Sequence, residues 1–212
     1  AGNLDVDGGT IKLDGDHPTN SGNVALGNTA LDSLTTGTLN TAIGSQAGTA
    51  LTEGTQNAFV GQATGVAVTT GSYNTFVGRA SGASATSANS NTGIGHQTLG
   101  ASGVDATGSN HTAIGRQALY SNASAANNTA VGYASMFDNT TGQFNVASGY
   151  LALENNTSGA YNTALGAYAL DGNTTASNNT AVGYQAGYSN TTGSELTAVG
   201  RESLKANTTG YY

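Results

Sequence analysis

The stretch NNTAVGYQAGYSNTTGS at residues 178–194 decides the fold, because its pattern recurs through most of the chain. Residues 127–143 read NNTAVGYASMFDNTTGQ, and nearly every copy has a glycine directly after Val, Ile or Leu. We call these glycines the anchor glycines. Their spacing is 17 residues, apart from one gap of 20, and such a fixed short period is typical of repeat architectures. The anchors are Gly27, Gly44, Gly61, Gly78, Gly95, Gly115, Gly132, Gly149, Gly166, Gly183 and Gly200.

A period of 17 residues is too short for two helices and fits one turn of a parallel β-solenoid. Each coil is predicted to hold two strands of about five residues, joined by two tight bends. Gly and Asn tolerate left-handed backbone, so anchors such as Gly44, Gly61, Gly132 and Gly183 are expected at bends. Coils stacked about 4.7–4.9 Å apart would form a rod roughly 50 Å long. We therefore predict an all-β chain, with a cap segment at 1–22 and about eleven coils at 23–212, including a 20-residue coil around 96–115.

Two neighbouring columns of the repeat predict which residues form the core. The residue before the anchor is branched and apolar in ten of eleven copies, and we expect it inside the coil. The preceding residue is nearly always small, as at Ala42, Ala130 and Ala181. Neighbouring strand residues point to opposite faces, so this Ala column is predicted outside. There it would let another copy approach closely, which favours a homotrimer over a monomer with a solvated Ala column.

Two columns are interrupted. Ser148 stands in the apolar column, and Leu196 in a column that otherwise holds Asn or His four residues before the anchor. We expect local irregularity in both coils.

The composition excludes several classes of protein. Thirty-two residues are glycine and only 8% are charged, so dense backbone hydrogen bonding or oligomerisation has to offset the ordering cost. A net charge of −7 with five Lys and Arg argues against a nucleic-acid surface or a polybasic membrane anchor. No apolar run is long enough for membrane insertion. Without cysteine there is no disulfide or thiolate metal site.

The repeat units resemble a known group of fibrous proteins. NTAIGSQAG (40–48), NTALGAYAL (162–170) and NTAVGYQAGYSNTTG (179–193) resemble the heads of YadA-type trimeric autotransporter adhesins, whose repeats are usually shorter. They are more similar to the repeat regions of phage tail fibres. GGTIKLDGDHPTNSGNVALG (8–27) resembles a segment of virion fibres from phages that infect cyanobacteria.

This resemblance implies a left-handed β-roll in an intertwined or side-by-side homotrimer, on a virion surface or otherwise extracellular. The implied partners are further copies, other fibre, baseplate or capsid proteins, and host cell-surface polysaccharide. The expected function is a structural and adhesive phage fibre segment; the alternative is the head of a bacterial adhesin.

The residue after each anchor varies most and is the candidate ligand-binding column. Tyr and basic side chains on a regular scaffold suit sugar recognition by ring stacking and polar contacts; the alternatives are solvated side chains or Tyr packing between protomers. Its candidate residues are Tyr133, Tyr150, Tyr184, Arg79, His96, Arg116 and Arg201.

Other motifs carry weaker hypotheses. Glu154 and Asp171 occupy equivalent places in adjacent coils, a spacing compatible with paired glycosidase carboxylates, but we predict exposed turn residues. An N-terminal cluster could bind calcium, although turn formation is favoured. No catalytic or phosphate-binding motif is found, so we predict no enzyme, metal site or cofactor. The cluster is Asp5, Asp7, Asp14 and Asp16.

The NTTG turns carry two further hypotheses. Their Asn residues are N-glycosylation sequons, a weak inference because the turn chemistry itself explains them. Their Thr pairs, such as Thr140–Thr141 and Thr191–Thr192, suggest an ice-binding solenoid as a remote alternative. Neighbouring Thr side chains would point to opposite faces, which argues against it.

Overall fold

The chain is described here by a computed structural model that covers residues 22–100 and 107–210. These residues form one parallel sheet of eleven strands in sequence order, and each strand pairs in register with the next at residues 17 or 20 apart. The predicted β-solenoid is confirmed. The strands are β1 Val24–Leu26, β2 Thr41–Ile43, β3 Ala58–Val60, β4 Thr75–Val77, β5 Thr92–Ile94, β6 Thr112–Ile114, β7 Thr129–Val131, β8 Val146–Ser148, β9 Thr163–Leu165, β10 Thr180–Val182 and β11 Thr197–Val199.

Each coil contains one strand of three residues, so the prediction of two five-residue strands is wrong. The rest of the coil is a series of turns whose amides still bond to neighbouring coils. The Gln46 amide donates to Asn28 O at 2.8 Å, and the Gly48 amide donates to Thr64 O at 2.9 Å. Backbone hydrogen bonding between coils therefore continues outside the strands. No helix in the two described ranges is long and apolar enough to cross a membrane.

Left-handed residues break the extended backbone of each coil. The anchor glycines have φ between 115° and 151°, which side-chain-bearing residues rarely adopt. Left-handed positions elsewhere hold other residue types, for example Gln185 at 53° and Leu170 at 51°. The prediction that Asn and Gly occupy the bends is thus right for the anchors and wrong for most other positions. Coil-to-coil hydrogen bonding stabilises the left-handed backbone at those positions.

The Ala column lies inside the coil and the branched apolar column lies outside, the reverse of the prediction. Ala42, Ala130 and Ala181 are fully buried, whereas Ile43 and Val60 are 38% and 36% exposed. The coil interior is too narrow for two large side chains from every turn. Small residues therefore face inward, and the Ala column cannot be a surface between copies.

Side-chain volume in the core is balanced between two positions in most coils. Phe76 replaces Ala in the buried column, and Gly82 then stands four residues after the anchor, where a β-carbon would clash with the Phe76 ring. In the coil of Gly115 the same positions hold Ala113 and Leu119, both fully buried. The stacked Phe59 and Phe76 rings, 5.7 Å apart, replace the Leu residues of other coils.

A buried asparagine ladder runs along the rod four residues before nine of the eleven anchors. Asn57 Nδ2 donates to Asn40 Oδ1 at 3.0 Å and to Gly71 O at 2.9 Å, and the Asn57 amide also donates to Asn40 Oδ1. The Asn57 side chain thereby bonds to the equivalent Asn of the preceding coil and to a backbone carbonyl near the end of its own coil. Buried polar side chains are stable here because their hydrogen bonds are made.

His111 takes the Asn position in the 20-residue coil. The Asn128 amide donates to its Nδ1 at 3.2 Å, and Nε2 lies 2.8 Å from Ala125 O, an arrangement that requires a neutral ring protonated at Nε2. Burial lowers the pKa of His111, against an opposing effect of its backbone hydrogen bonds. The coil stays in register, with Thr92 opposite Thr112.

The predicted irregularity at Ser148 and Leu196 is wrong. Ser148 lies in the outward column and pairs in register with Leu165. The Leu196 amide still donates to Asn179 Oδ1 at 2.8 Å, and its side chain packs beside Gly187. The predicted cap segment at 1–22 lies outside the described residues, apart from Gly22.

Candidate functional site

The candidate ligand-binding column follows the anchor glycines along the outside of the rod. Each of its residues comes directly after a turn whose backbone only glycine adopts readily, so the column repeats with every coil. Arg79, Arg116 and Tyr133 are exposed, and Tyr150 and Tyr184 are 47% and 44% exposed. The structure places the predicted residues in a single file.

The N-terminal part of the column is polar and basic. Arg79 Nε donates to Gln62 Oε1 at 3.3 Å, and Arg79 Nη1 lies 3.0 Å from His96 Nε2. Because the guanidinium can only donate, His96 Nε2 accepts this bond and its ring is neutral in this arrangement. Three successive coils thus carry one connected group of side chains.

The C-terminal part of the column consists of stacked rings with arginines at both ends. The Arg116 guanidinium lies 5.5 Å from the centre of the Tyr133 ring, and Tyr133 stacks on Tyr150 at 5.3 Å with 13° between the planes. At the other end, the Arg201 guanidinium lies 5.9 Å from the centre of the Tyr184 ring. These are cation–π and stacked contacts of ordinary geometry.

Ring contacts cover part of the surface of these three tyrosines. Tyr133 has Arg116 one coil before it and Tyr150 one coil after it, and Tyr150 and Tyr184 are likewise contacted on both sides. Sugar recognition by ring stacking stays a prediction for these tyrosines, which are 38–47% exposed. Hydrogen bonding and charge are the other kinds of contact that this column offers a ligand.

Sequence reasoning missed Tyr168, which connects the two parts of the tyrosine stack. The column has Ala167 where a ring is absent, and Tyr168 fills the gap, at 69° to Tyr150 and 87° to Tyr184. Desolvation and the hydrogen-bonded Tyr150 hydroxyl raise the pKa of Tyr168, so it remains a proton donor. The signal available in the sequence was a Tyr directly after the Ala that occupies the column in this coil.

Glu154 and Asp171 form a carboxyl pair beside these tyrosines, as their equivalent positions predict. Asp171 lies in a turn as predicted, but it is only 9% exposed and its Oδ1 has no hydrogen-bond partner, so the prediction of an exposed residue is wrong. Desolvation, followed by the charge and hydrogen bond of Glu154, raises the pKa of Asp171 to about 7. Asp171 therefore takes up a proton at a much higher pH than an ordinary aspartate.

A second aromatic pair, also missed, lies on a different edge of the coil. Phe144 stacks on Tyr161 at 5.1 Å with 4° between the rings, and both are exposed. Together with Thr141, Gln143 and Ala160 they line a shallow groove of about 270 Å³. Phe144 and Tyr161 both stand twelve residues after an anchor. This column holds mixed residue types in the other coils, so the pair could not be recognised from the repeat pattern.

The candidate calcium ligands Asp5, Asp7, Asp14 and Asp16 lie outside the described residues. Within residues 22–100 and 107–210, no three His, Asp or Glu side chains are grouped to hold a metal ion.

Three of the Asn-Thr-Thr sequons are inaccessible in the folded rod. Asn139, Asn173 and Asn190 are fully buried, and their Nδ2 atoms donate to carbonyls three residues later, for example Asn190 to Gly193 O at 2.8 Å. These residues form a second asparagine ladder. The folded chain cannot be glycosylated at them.

A comparison with protein-family models, with curated proteins and with solved structures finds no match for this chain.

Proposed function

We propose that this chain is a structural and adhesive fibre segment of a phage virion, in which three copies pack into a rigid rod that carries host-surface glycan recognition. One observation supports it above all, an apolar stripe on the outside of the solenoid that is interrupted among the described residues at Ser148. The stripe is the outward column before the anchors, and eight of its residues are 36–65% exposed. They are Leu26, Ile43, Val60, Val77, Ile94, Ile114, Leu165 and Val199.

The stripe is a surface that favours association. Over ten coil spacings it extends roughly 48 Å, and monomeric proteins rarely expose apolar patches of that size. On the same strand face, two residues earlier, lies a column of mostly Thr that is half-buried or exposed. The face is regular and nearly free of charge, so identical faces of other copies can cover it. This replaces the Ala column as the proposed surface between copies.

Sedimentation of the purified chain tests the assembly. The wild type is expected at the mass of three chains. Val60→Lys combined with Ile114→Lys places unpaired charges between the copies and should give monomers, because buried charges without partners are strongly unfavourable. Leu39→Lys is the matched control, since Leu39 is 56% exposed but lies off the stripe. A monomeric wild type at micromolar concentration would refute the proposal.

The assignment to a phage rests on the similarity of the repeats to tail-fibre sequences. Antibodies raised against the purified rod should label fibres on phage particles in electron micrographs. Labelling of bacterial cell surfaces instead would favour the alternative, the head of a bacterial adhesin. In both cases the proposed role is binding and support rather than catalysis, with no cofactor.

A second candidate function, ice binding, is favoured by one observation on the strand face. Thr75 and Val77 in β4 place a hydroxyl and an apolar group side by side on the outer face of the strand, and Thr163 and Leu165 in β9 do the same. The turn Thr residues do not form such a face, because hydroxyls such as Thr140 Oγ1 donate to the next coil, here to Thr157 O at 2.9 Å. A monomeric wild type that shows thermal hysteresis would favour ice binding. If no thermal hysteresis is measured, ice binding is excluded.

A further inference from the structure

We propose that the glycan bound by the candidate column is anionic, and that Arg79 and Arg116 bind its acidic groups. This inference rests on the proposed adhesive function and names the class of ligand. It concerns the part of the column from Gln62 to Tyr133, which we call the basic segment.

The first argument is the distribution of charge along the chain. Residues 54–137 contain two arginines and one aspartate, a net of +1, whereas the remaining three basic and eleven acidic residues leave −8. Both arginines of this region, Arg79 and Arg116, lie in the candidate column. An acidic rod thus concentrates exposed positive charge on one line near its middle, which attracts anions locally.

The second argument is that these charges are not neutralised within the chain. The ion pairs among the described residues are Arg201 and Lys205 with Glu202. Arg79 instead bonds to the neutral acceptors Gln62 and His96, and Arg116 lies over a tyrosine ring. Neutral partners orient a guanidinium and leave its charge for a ligand.

The third argument is the geometry of a linear ligand. Arg79, His96 and Arg116 lie in three successive coils, so the two arginine backbones are roughly 10 Å apart along the rod. An extended polymer lying parallel to the rod would meet both. Guanidinium groups bind carboxylate, sulfate or phosphate through paired hydrogen bonds. The hydroxyl edges of Tyr133 and Tyr150 continue the column with neutral polar groups.

Binding of the assembled wild type to matched polymers tests the inference. Polygalacturonate and dextran sulfate are the charged probes, and methyl-esterified polygalacturonate and dextran have the same backbones without the charge. Calorimetry should show binding to at least one charged polymer and at least tenfold weaker binding to its neutral counterpart. Affinity for the charged polymer should fall as salt rises.

Substitutions locate the binding to the basic segment. Arg79→Gln and Arg116→Gln should each weaken binding of the charged polymer about tenfold, as expected for loss of a charged hydrogen bond. Lys205→Gln is the control, because Lys205 lies outside the candidate column and already pairs with Glu202, and should change affinity less than about twofold. Sedimentation of each variant verifies that the assembly is unchanged.

The other outcomes each overturn the inference. Equal binding of charged and neutral polymers would show glycan recognition without charge and would leave the adhesive function standing. If neither charged polymer binds, anionic glycans are excluded as the ligand. Duplex DNA bound as tightly as the polysaccharide would show attraction to any polyanion. The proposed fibre assembly is tested separately by sedimentation. Failure of that proposal is therefore distinguishable from these three binding outcomes.

Discussion

At the scale of single residues, the core depends on matched volumes and on a few buried polar side chains. Phe76 with Gly82 and Ala113 with Leu119 fill equivalent space in different coils. His111 and Asp171 are buried ionisable groups whose pKa values shift for the same reason, loss of solvent. Because one is a base and the other an acid, their effects on stability have opposite pH dependence.

Gly82→Ala should destabilise the rod by about 1–3 kcal/mol more than Gly187→Ala. Both glycines have φ of 62°, so backbone strain is the same, but only at Gly82 would the β-carbon clash with a phenylalanine ring. The pair Phe76→Ala and Gly82→Leu recreates the arrangement of the Gly115 coil. It should recover more than half of the loss caused by Phe76→Ala alone, measured by urea unfolding; no recovery would contradict volume matching.

His111→Asn should make the rod less sensitive to acid. The folded pKa of His111 lies below its ordinary value of 6.5, so stability is constant above about pH 6.5 and falls below it as the unfolded ring takes up a proton. Asn is the residue of most other coils and does not titrate. The difference in unfolding free energy between variant and wild type should therefore shift in favour of the variant from pH 7.5 to pH 5. Equal slopes would refute this.

Asp171→Asn should stabilise the rod at pH 8 by about 1–3 kcal/mol and have little effect at pH 4. The folded pKa of about 7 lies above the ordinary 3.8, so the folded state holds a proton that the unfolded state has released. Stability is thus lost as pH rises from about 4 to 7. Asp138→Asn is the control for removal of a nearby charge. A stabilisation that is equal at both pH values would rule out the raised pKa of Asp171.

At the scale of the coil, the anchor glycine joins two requirements, an unusual φ and close approach of the next coil. Gly132 has φ of 135°, and a β-carbon there would lie 2.7 Å from the carbonyl carbon of Gly149. The next coil stacks within hydrogen-bonding distance at this point, since the Gly149 amide donates to Val131 O at 2.8 Å. The glycine is needed for coil contact as well as for the bend.

Gly132→Ala should therefore cost more stability than Gly200→Ala. Gly200 has φ of 115° but nothing within 4 Å of the position of a β-carbon, so its substitution carries the backbone strain alone. We expect about 1–3 kcal/mol for Gly200→Ala and at least about 2 kcal/mol more for Gly132→Ala, because the coils must separate locally. Thermal unfolding measured by circular dichroism distinguishes them. Equal losses would mean that coil contact is unimportant.

At the scale of the whole molecule, the rod is a one-dimensional stack in which each coil contacts its neighbours. The pairings of β1 to β11 are all between consecutive strands. Stability of such a stack is approximately a sum over coils and the contacts between them. The 20-residue coil shows that extra residues are accommodated without loss of register.

Deletion of residues 164–180 should leave a folded rod that is one coil shorter. It joins Thr163 directly to Ala181 and keeps the strand sequence Thr-Ala-Val. Deletion of 164–179 leaves an extra Thr in the strand, which turns Ala181 outward and Val182 inward. We expect the second variant to be less stable by about 3 kcal/mol or more. Urea unfolding compares them, and equal stability would contradict a fixed strand register.

The solenoid itself was predictable because it depends on a property visible in one dimension. Eleven anchor glycines at a constant spacing require equivalent backbone in every coil, and stacking follows from that equivalence. The alignment of the candidate column, which contains Arg79, His96, Arg116 and the tyrosines, was predictable for the same reason. Tyr168 was not, because it joins the stack from a neighbouring column by turning its ring.

The sequence by itself determined the period, the register and which residues share a line along the rod, since all three follow from spacing. Only the tertiary structure decided which side of the strand faces inward. The alternation of side chains along a strand allows either the Ala column or the branched apolar column to face inward. Larger apolar residues usually face the core, but the interior of a 17-residue coil is so narrow that it accepts Ala and excludes Val from most turns. The same narrowness places the larger apolar side chains on the surface, where they are available to another copy.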